Sequence, residues 1–320
     1  ITADDYITLL VGVPEDVERA RHQSWAGQVS FSVQPINHIA EVIKGVSRGK
    51  RVGMVGYQIM PFRFLEEIRR LLGARKWVDF ETALSSLRMV KSEWELSRIK
   101  RAAEIADLGF KTFLQSIKVG VAEYEVVAEV EHVVKKAGAE DNFMLISSGG
   151  PEERGMHPPT SRRFQRGDIL RVEITPQFDG YWVQLCRTAV IGEAKAAYKE
   201  AFEIFRRAET AGLQVLKAGV TASEVAKAQN DIFRDAGYGD FVSRRYTRGR
   251  GHGQGLHLDE PPLLAEGNST EIKANMVIIV HPNTYLPLGG YMVLGDAVVV
   301  KNGGYERMCS TPKLLFEVEG

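Results

Sequence analysis

The sequence predicts an α+β protein, with a duplicated α-α-β-β unit from residue 85 to the end and a smaller α/β domain over residues 1–84. Three observations carry this reading. Up to about residue 84, short apolar strands alternate with helical runs, as in α/β layering. At Ser92 the texture changes to long amphipathic helices. From there on, the chain matches itself at an offset of 99 residues.

In the first domain, Ile7-Thr8-Leu9-Leu10-Val11-Gly12 reads as a strand. Arg51-Val52-Gly53-Met54-Val55-Gly56 is a second, followed by a helical run from Pro61 to Leu72. No glycine-rich phosphate fingerprint follows that strand, so no nucleotide site is assigned. The chain opens on Ile, in mid-pattern. The domain therefore reads as truncated at its start, and any targeting signal would be missing with it. The stretch Ala83–Lys91 is the expected link between the domains. Ser92-Glu93-Trp94-Glu95 is a capping box that opens a helix to about Ile117.

The repeat takes Lys118-Val119-Gly120-Val121 to Lys217-Ala218-Gly219-Val220, Gln115 to Gln214, Glu125-Val126 to Glu224-Val225, and Gly138 to Gly237. Each copy reads as long helix, Gly-Val turn, second helix, Gly stop and strands. Sheets of two such copies close around a pseudo-twofold axis, and their junction is a natural ligand cleft. In the two halves Asp168–Glu173 and Met276–His281 are matching strands, one ending in a carboxylate and the other in an imidazole. Arg250 to Pro262 contains three alternating glycines, two histidines and two carboxylates, and glycines so spaced allow close backbone approach.

Composition narrows the classes. The 320 residues are 44% hydrophobic, enough for a large core. Lys and Arg (41) balance Asp and Glu (41), which argues against nucleic acid or a membrane surface as partner. Two cysteines, Cys186 and Cys309, are too few for a disulfide framework and point to the cytoplasm. No apolar run is long enough to span a membrane.

Several motifs together resemble the creatinase, aminopeptidase P and prolidase family. They are Arg88-Met89-Val90-Lys91-Ser92, Gly167-Asp168-Ile169-Leu170, Gly180-Tyr181 with Arg187-Thr188, Gly251-His252-Gly253-Gln254-Gly255, and Glu260-Pro261. The resemblance implies a pita-bread catalytic domain from about residue 85 and a homodimer. Metal-dependent members hold two divalent ions with two Asp, one His and two Glu. The corresponding positions here are Glu173, Gln184, His252, His281 and Gly295, so only His252 is unchanged. Two divalent cations side by side need bridging carboxylates to offset their repulsion. Gln184 and Gly295 supply none.

Three mechanisms remain open. In the favoured one, as in the creatinase branch, the enzyme is metal-independent. His157 shuttles protons, His252 and His281 bind and polarise the substrate, and Glu173 fixes a histidine or holds an amine. Replacing His157 by Ala is then expected to abolish turnover. In the second, Glu173, His252 and His281 hold one Zn, Mn or Fe ion. In the third, Cys186 is a nucleophile, sharing a strand face with Gln184. Tyr181, Gln184, Cys186, Arg187, Arg250, His257 and Asp259 are the candidate substrate-binding residues, with Asp296 a further cleft candidate. The cluster Arg244, Arg245, Arg248 and Arg250 suggests an anionic substrate, and loss of the creatinase carboxylates at Cys186 and His281 argues against creatine. The expected activity is hydrolysis, or C–N lysis, of a small carboxylate-bearing amide or amino-acid derivative. The alternatives are a metal-dependent Xaa-Pro peptidase and a non-catalytic peptide-binding domain.

Overall fold

The computed structural model describes residues 7–47, 51–56 and 59–319. The chain divides into two compact units, Ile1–Leu84 and Ser85–Gly320.

The first unit runs β1 (Thr8–Val11), α1 (Asp16–Gln23), β2 (Gln28–Phe31), α2 (Pro35–Ser47), β3 (Val52–Met54), α3 (Phe62–Leu72) and β4 (Trp77–Asp79). β1 pairs with β2 and β3 with β4, both in parallel, as strand–helix–strand connections require. Ala40, Ile68 and Leu72 form its small core, packed by Ile36, Ile39, Ile43 and Trp77. The stretch expected to be a link is helical: α4 spans Glu81–Met89. Its apolar residues Ala83, Leu84 and Leu87 fall at helical spacing, which a reading based on turn residues overlooks.

The second unit begins with α5 (Glu93–Ser116), capped by Ser92 and Glu95. α6 (Glu123–Lys136), β5 (Asp141–Gly149), β6 (Ile169–Phe178), β7 (Tyr181–Trp182) and β8 (Leu185–Ile191) complete the first copy. The second copy has α7 (Ala196–Val215), α8 (Ala222–Asp235), β9 (Gly251–Gly253), β10 (Val277–Val280), the β11–β12 hairpin (Thr284–Leu286, Gly290–Met292) and β13 (Gly295–Lys301). β14 (Gly304–Arg307) and β15 (Phe316–Val318) finish the sheet. α6 and α8 each have 14 residues and start 99 residues apart. Glu125 and Glu224 play the same part, accepting the backbone N–H of Ala122 and Thr221 at 2.7 Å. Gly120 and Gly219 take φ of 85° and 92° before these helices, and Gly138 and Gly237 take 102° and 84° after them.

The central strands run β5-β6-β8-β13-β10-β9, so the two copies meet at β8 and β13. That junction is short, pairing only Gly295 with Cys186 and Asp296 with Leu185. α5 and α6 cover the first half through Ile99, Phe110, Phe113 and Val130 against Val172 and Ile174. α7 and α8 cover the second through Phe205, Phe233, Val225 and Leu213. With one face occupied by helices, the other is left to form a cleft. This is the pita-bread architecture. Among the described residues, no helix is long and apolar enough to cross a membrane.

Candidate active site

The strand register builds the site. Leu145 pairs with Glu173, Glu173 with Cys186 and Cys186 with Gly295, and paired residues share a sheet face. The pairing of Val280 with Asp296 brings His281 level with Gly295, while Ile279 pairs with His252. Glu173, Gln184, His252, His281 and Asp259 consequently line one cavity of about 410 Å³. Leu145, Arg154, Met156, Arg248, Asn283 and Tyr291 complete much of its wall.

The alternating glycines are packing requirements rather than a ligand cradle. A Cβ on Gly251 would lie 2.1 Å from Ile279 O, and one on Gly253 2.3 Å from Pro261 O. β9 is pressed between β10 and the Glu260–Pro261 turn, and this fixes His252 on the cavity wall. Glu260 is itself held by buried Lys91 at 2.9 Å.

Burial tunes the ionisable groups. It pushes the Glu173 carboxyl up to about 7, against hydrogen bonds from Cys186 and Gln184 that favour the charged form. Cys186 Sγ lies 3.6 Å from Glu173 Oε2. Burial pulls His252 below its ordinary value, opposed by Asp259 at 3.5 Å. His281 is lowered further, by burial and then by His252, whose ring centroid is 5.2 Å away. Both imidazoles are therefore neutral at neutral pH. The Nδ1 of His252 lies 2.9 Å from Gly253 O, which fixes the proton on Nδ1 and leaves Nε2 as acceptor. Nδ1 of His281 is buried with no hydrogen-bond partner among the described residues.

Six candidates lie elsewhere. His157 does not line the cavity. It pairs with Ile146, one residue out of step with the cavity-facing Leu145, so Met156 takes the wall position. The His157 side chain is 41% exposed, with Nδ1 2.8 Å from Pro158 O and 4.0 Å from Glu123. Arg187 is fully buried on the opposite sheet face, where it binds Asp296 at 2.6 Å and the carbonyls of Gly295, Thr311 and Pro312. Asp296 is the structural partner of that arginine and of Arg307. Tyr181 donates to Glu95 at 3.0 Å and packs edge-on against Trp94. His257 is exposed on the loop after β9 and is absent from the cavity wall. Arg250 is buried away from this cavity.

Cys186 is on the expected face but beneath the wall. It is fully buried, and burial together with Glu173 holds its thiol well above the ordinary range. It is therefore a poor nucleophile. Of the arginine cluster only Arg248 reaches the cavity wall, where it ion-pairs with Asp259. Arg154, Asn283 and Tyr291 were missed because they arrive on a loop and the β11–β12 hairpin, with no local pattern to mark them.

The donor set does not suit a pair of divalent ions. Gln184 is neutral and Gly295 has no side chain. A Cβ on Gly295 would lie 2.6 Å from His281 Cβ and 3.1 Å from Val280 O, so the strands leave no room for a side chain at 295. Among the described residues, no three His, Cys, Asp or Glu side chains are gathered to hold an ion.

This duplicated fold, with its cleft on the helix-free face, defines a class of hydrolases. Residues 97–302 match the model of metallopeptidase family M24, and residues 1–90 match the creatinase/prolidase N-terminal domain. The chain belongs to family M24, the creatinase, aminopeptidase P and prolidase group, which is normally metal-dependent. A Xaa-Pro dipeptidase of Pyrococcus horikoshii is 28% identical over 307 residues, 95% of this chain and 84% of that protein. The prolidase of Pyrococcus furiosus superposes with a TM-score of 0.84 at 27% identity, over 96% of this chain and 88% of the other. A Xaa-Pro dipeptidase from Bacillus anthracis gives 0.85 at 26%, over 97% and 86%.

Proposed function

We propose that this chain is a peptidase-like hydrolase that cleaves the amide bond of a small, carboxylate-bearing substrate by acid–base chemistry. Glu173 and two neutral imidazoles carry that chemistry in place of a dinuclear centre. The supporting observation is Glu173, a carboxyl tuned to about 7 in the wall of the cavity. A general base is most effective when its pKa lies near the working pH.

Ionised Glu173 takes a proton from a water molecule as the water oxygen bonds to the amide carbon. His281, protonated on Nε2, donates to the carbonyl oxygen as it gains charge. The C–N bond then breaks, and the proton held by Glu173 passes to the leaving amine. Nε2 of His252 accepts a hydrogen bond from a substrate N–H. Arg154, stacked 3.7 Å over the Tyr285 ring, supplies a cation for the substrate carboxylate. Dipeptides ending in proline belong to this substrate class, and the names of the relatives put them first to be tried.

A second reading is a Xaa-Pro peptidase using one ion. It is favoured by the two neutral imidazoles facing one cavity, since ligating histidines must be neutral. Xaa-Pro dipeptides and N-acyl amino acids should be screened with protein stripped by chelator and its metal content measured. The proposal expects turnover without metal, reduced about 100-fold or more in Glu173→Gln. Turnover that appears only with stoichiometric Mn, Zn or Fe overturns it in favour of the second reading. Peptide binding with no turnover under either condition makes the domain a binding module. The proposal also carries a homodimer: sedimentation at twice 35.6 kDa supports it, and a single-chain mass removes it.

A further inference from the structure

A second cavity, of about 350 Å³, lies behind the loop before β9 and shares Thr247, Arg248 and Gly249 with the first. Its wall contains four arginines, Arg234, Arg244, Arg248 and Arg250, and one acidic residue, Glu266. Glu266 is already engaged, accepting from Asn230 at 2.7 Å and pairing with Arg234 at 2.8 Å. Arg234 also pairs with Asp231, and Arg248 with Asp259. Arg244 and Arg250 are in no ion pair among the described residues.

Arg250 is the unusual member. It is only 1% exposed. Its Nε donates to Asn230 Oδ1 at 2.5 Å and its Nη1 to Pro282 O at 2.9 Å, while its guanidinium sits 4.6 Å over the Phe233 ring. Nη2 is buried with no partner. A buried cation lacking both a counter-ion and a full set of acceptors is strongly disfavoured unless something else completes it. Burial accordingly lowers Arg250 to about 9. Arg171 provides the contrast. It is equally buried and also lacks a carboxylate, yet its Nε, Nη1 and Nη2 all donate to carbonyls of Tyr291, Ile169 and Gly150, and it borders neither cavity. Arg171 is complete within the protein; Arg250 is not.

We propose that this second cavity binds a small oxyanion, a phosphate or carboxylate group, held by Arg250 and Arg244. Guanidinium groups favour such oxygens because their paired N–H donors match the geometry. The site is independent of the reaction proposed above. Arg250 O accepts the N–H of His281 at 3.2 Å, so the anion would sit against the strand that carries a wall residue of the first cavity.

Calorimetric titration of the full chain with inorganic phosphate, and separately with succinate, tests this at constant ionic strength set by chloride. The expected result is saturable binding of one anion per chain. It should weaken roughly tenfold or more in Arg250→Met and several-fold in the surface variant Arg244→Ala, and stay unchanged in Arg154→Ala, which alters only the first cavity. Stronger binding of phosphate assigns the natural group as a phosphate, and stronger binding of succinate as a carboxylate. If Arg250→Met fails to fold, Arg244→Ala decides. No saturable binding, which would leave Nη2 to a water molecule, overturns the proposal. So does binding indifferent to Arg250→Met and Arg244→Ala, or binding lost in Arg154→Ala, which would place the anion in the first cavity.

Discussion

The two copies of the repeat kept their helices and exchanged their chemistry. α6 and α8 agree in length, in the glutamate that accepts the N-cap backbone N–H, and in stop glycine. The strands beside them do not agree: β5 has nine residues, whereas its counterpart β9 has three. At the level where the copies meet, the first supplies Glu173 and Cys186, and the second supplies His281 and Gly295. One half gives a carboxyl raised towards neutrality, the other two imidazoles lowered below it. Helix packing constrains the scaffold through many contacts at once. A cavity-facing strand position answers only to its immediate neighbours and is free to change.

If the halves divide the work this way, Glu173→Gln has the largest effect, a loss of turnover of about 100-fold or more in steady-state assays. His281→Ala should lower turnover less, since it removes a donor to the carbonyl rather than the base. Equal losses would blur the contrast. Next comes the junction itself. Gly295→Ala puts a Cβ against His281 Cβ and should destabilise the chain by about 1–3 kcal/mol in denaturant titration. Combining it with His281→Gly should recover much of that loss, and simple additivity would show that the contact is not the cause.

The pH dependence follows from Glu173. Its folded value is above its ordinary 4.5, so the folded chain binds this proton more tightly than the unfolded chain does. The stability it contributes is fully present below about 4.5 and is lost as pH rises through about 7, an effect on the order of 3–4 kcal/mol. Glu173→Gln should flatten this part of the stability profile. An unchanged slope would remove Glu173 as its source. The smallest effect is reserved for His157→Ala. With the ring outside the cavity, turnover should stay within about threefold of the parent, reversing the expectation drawn from the sequence. Complete loss would return His157 to the site.

The long helices of the repeat, the Ser92 capping box and the matching strands were legible in the sequence because period, cap residues and glycine stops are local signals. Glu173, Gln184, His252, His281 and Asp259 were also named from the sequence, and all five line the first cavity. His157 was lost to a single step of register, which turns a side chain to the other face and leaves no trace in composition. Arg187 and Arg250 look like ligand-binding arginines in a sequence. Only the fold shows one closed on Asp296 and the other buried beside a different cavity. Tyr291 and Asn283 enter through a hairpin whose position depends on the whole sheet.

Elemental analysis of purified, catalytically active protein, prepared without chelator, bears most directly on the central claim. A site with neutral Gln184 and side-chain-free Gly295 should return fewer than two divalent ions per chain. Two tightly held ions per chain, needed for turnover, would contradict it.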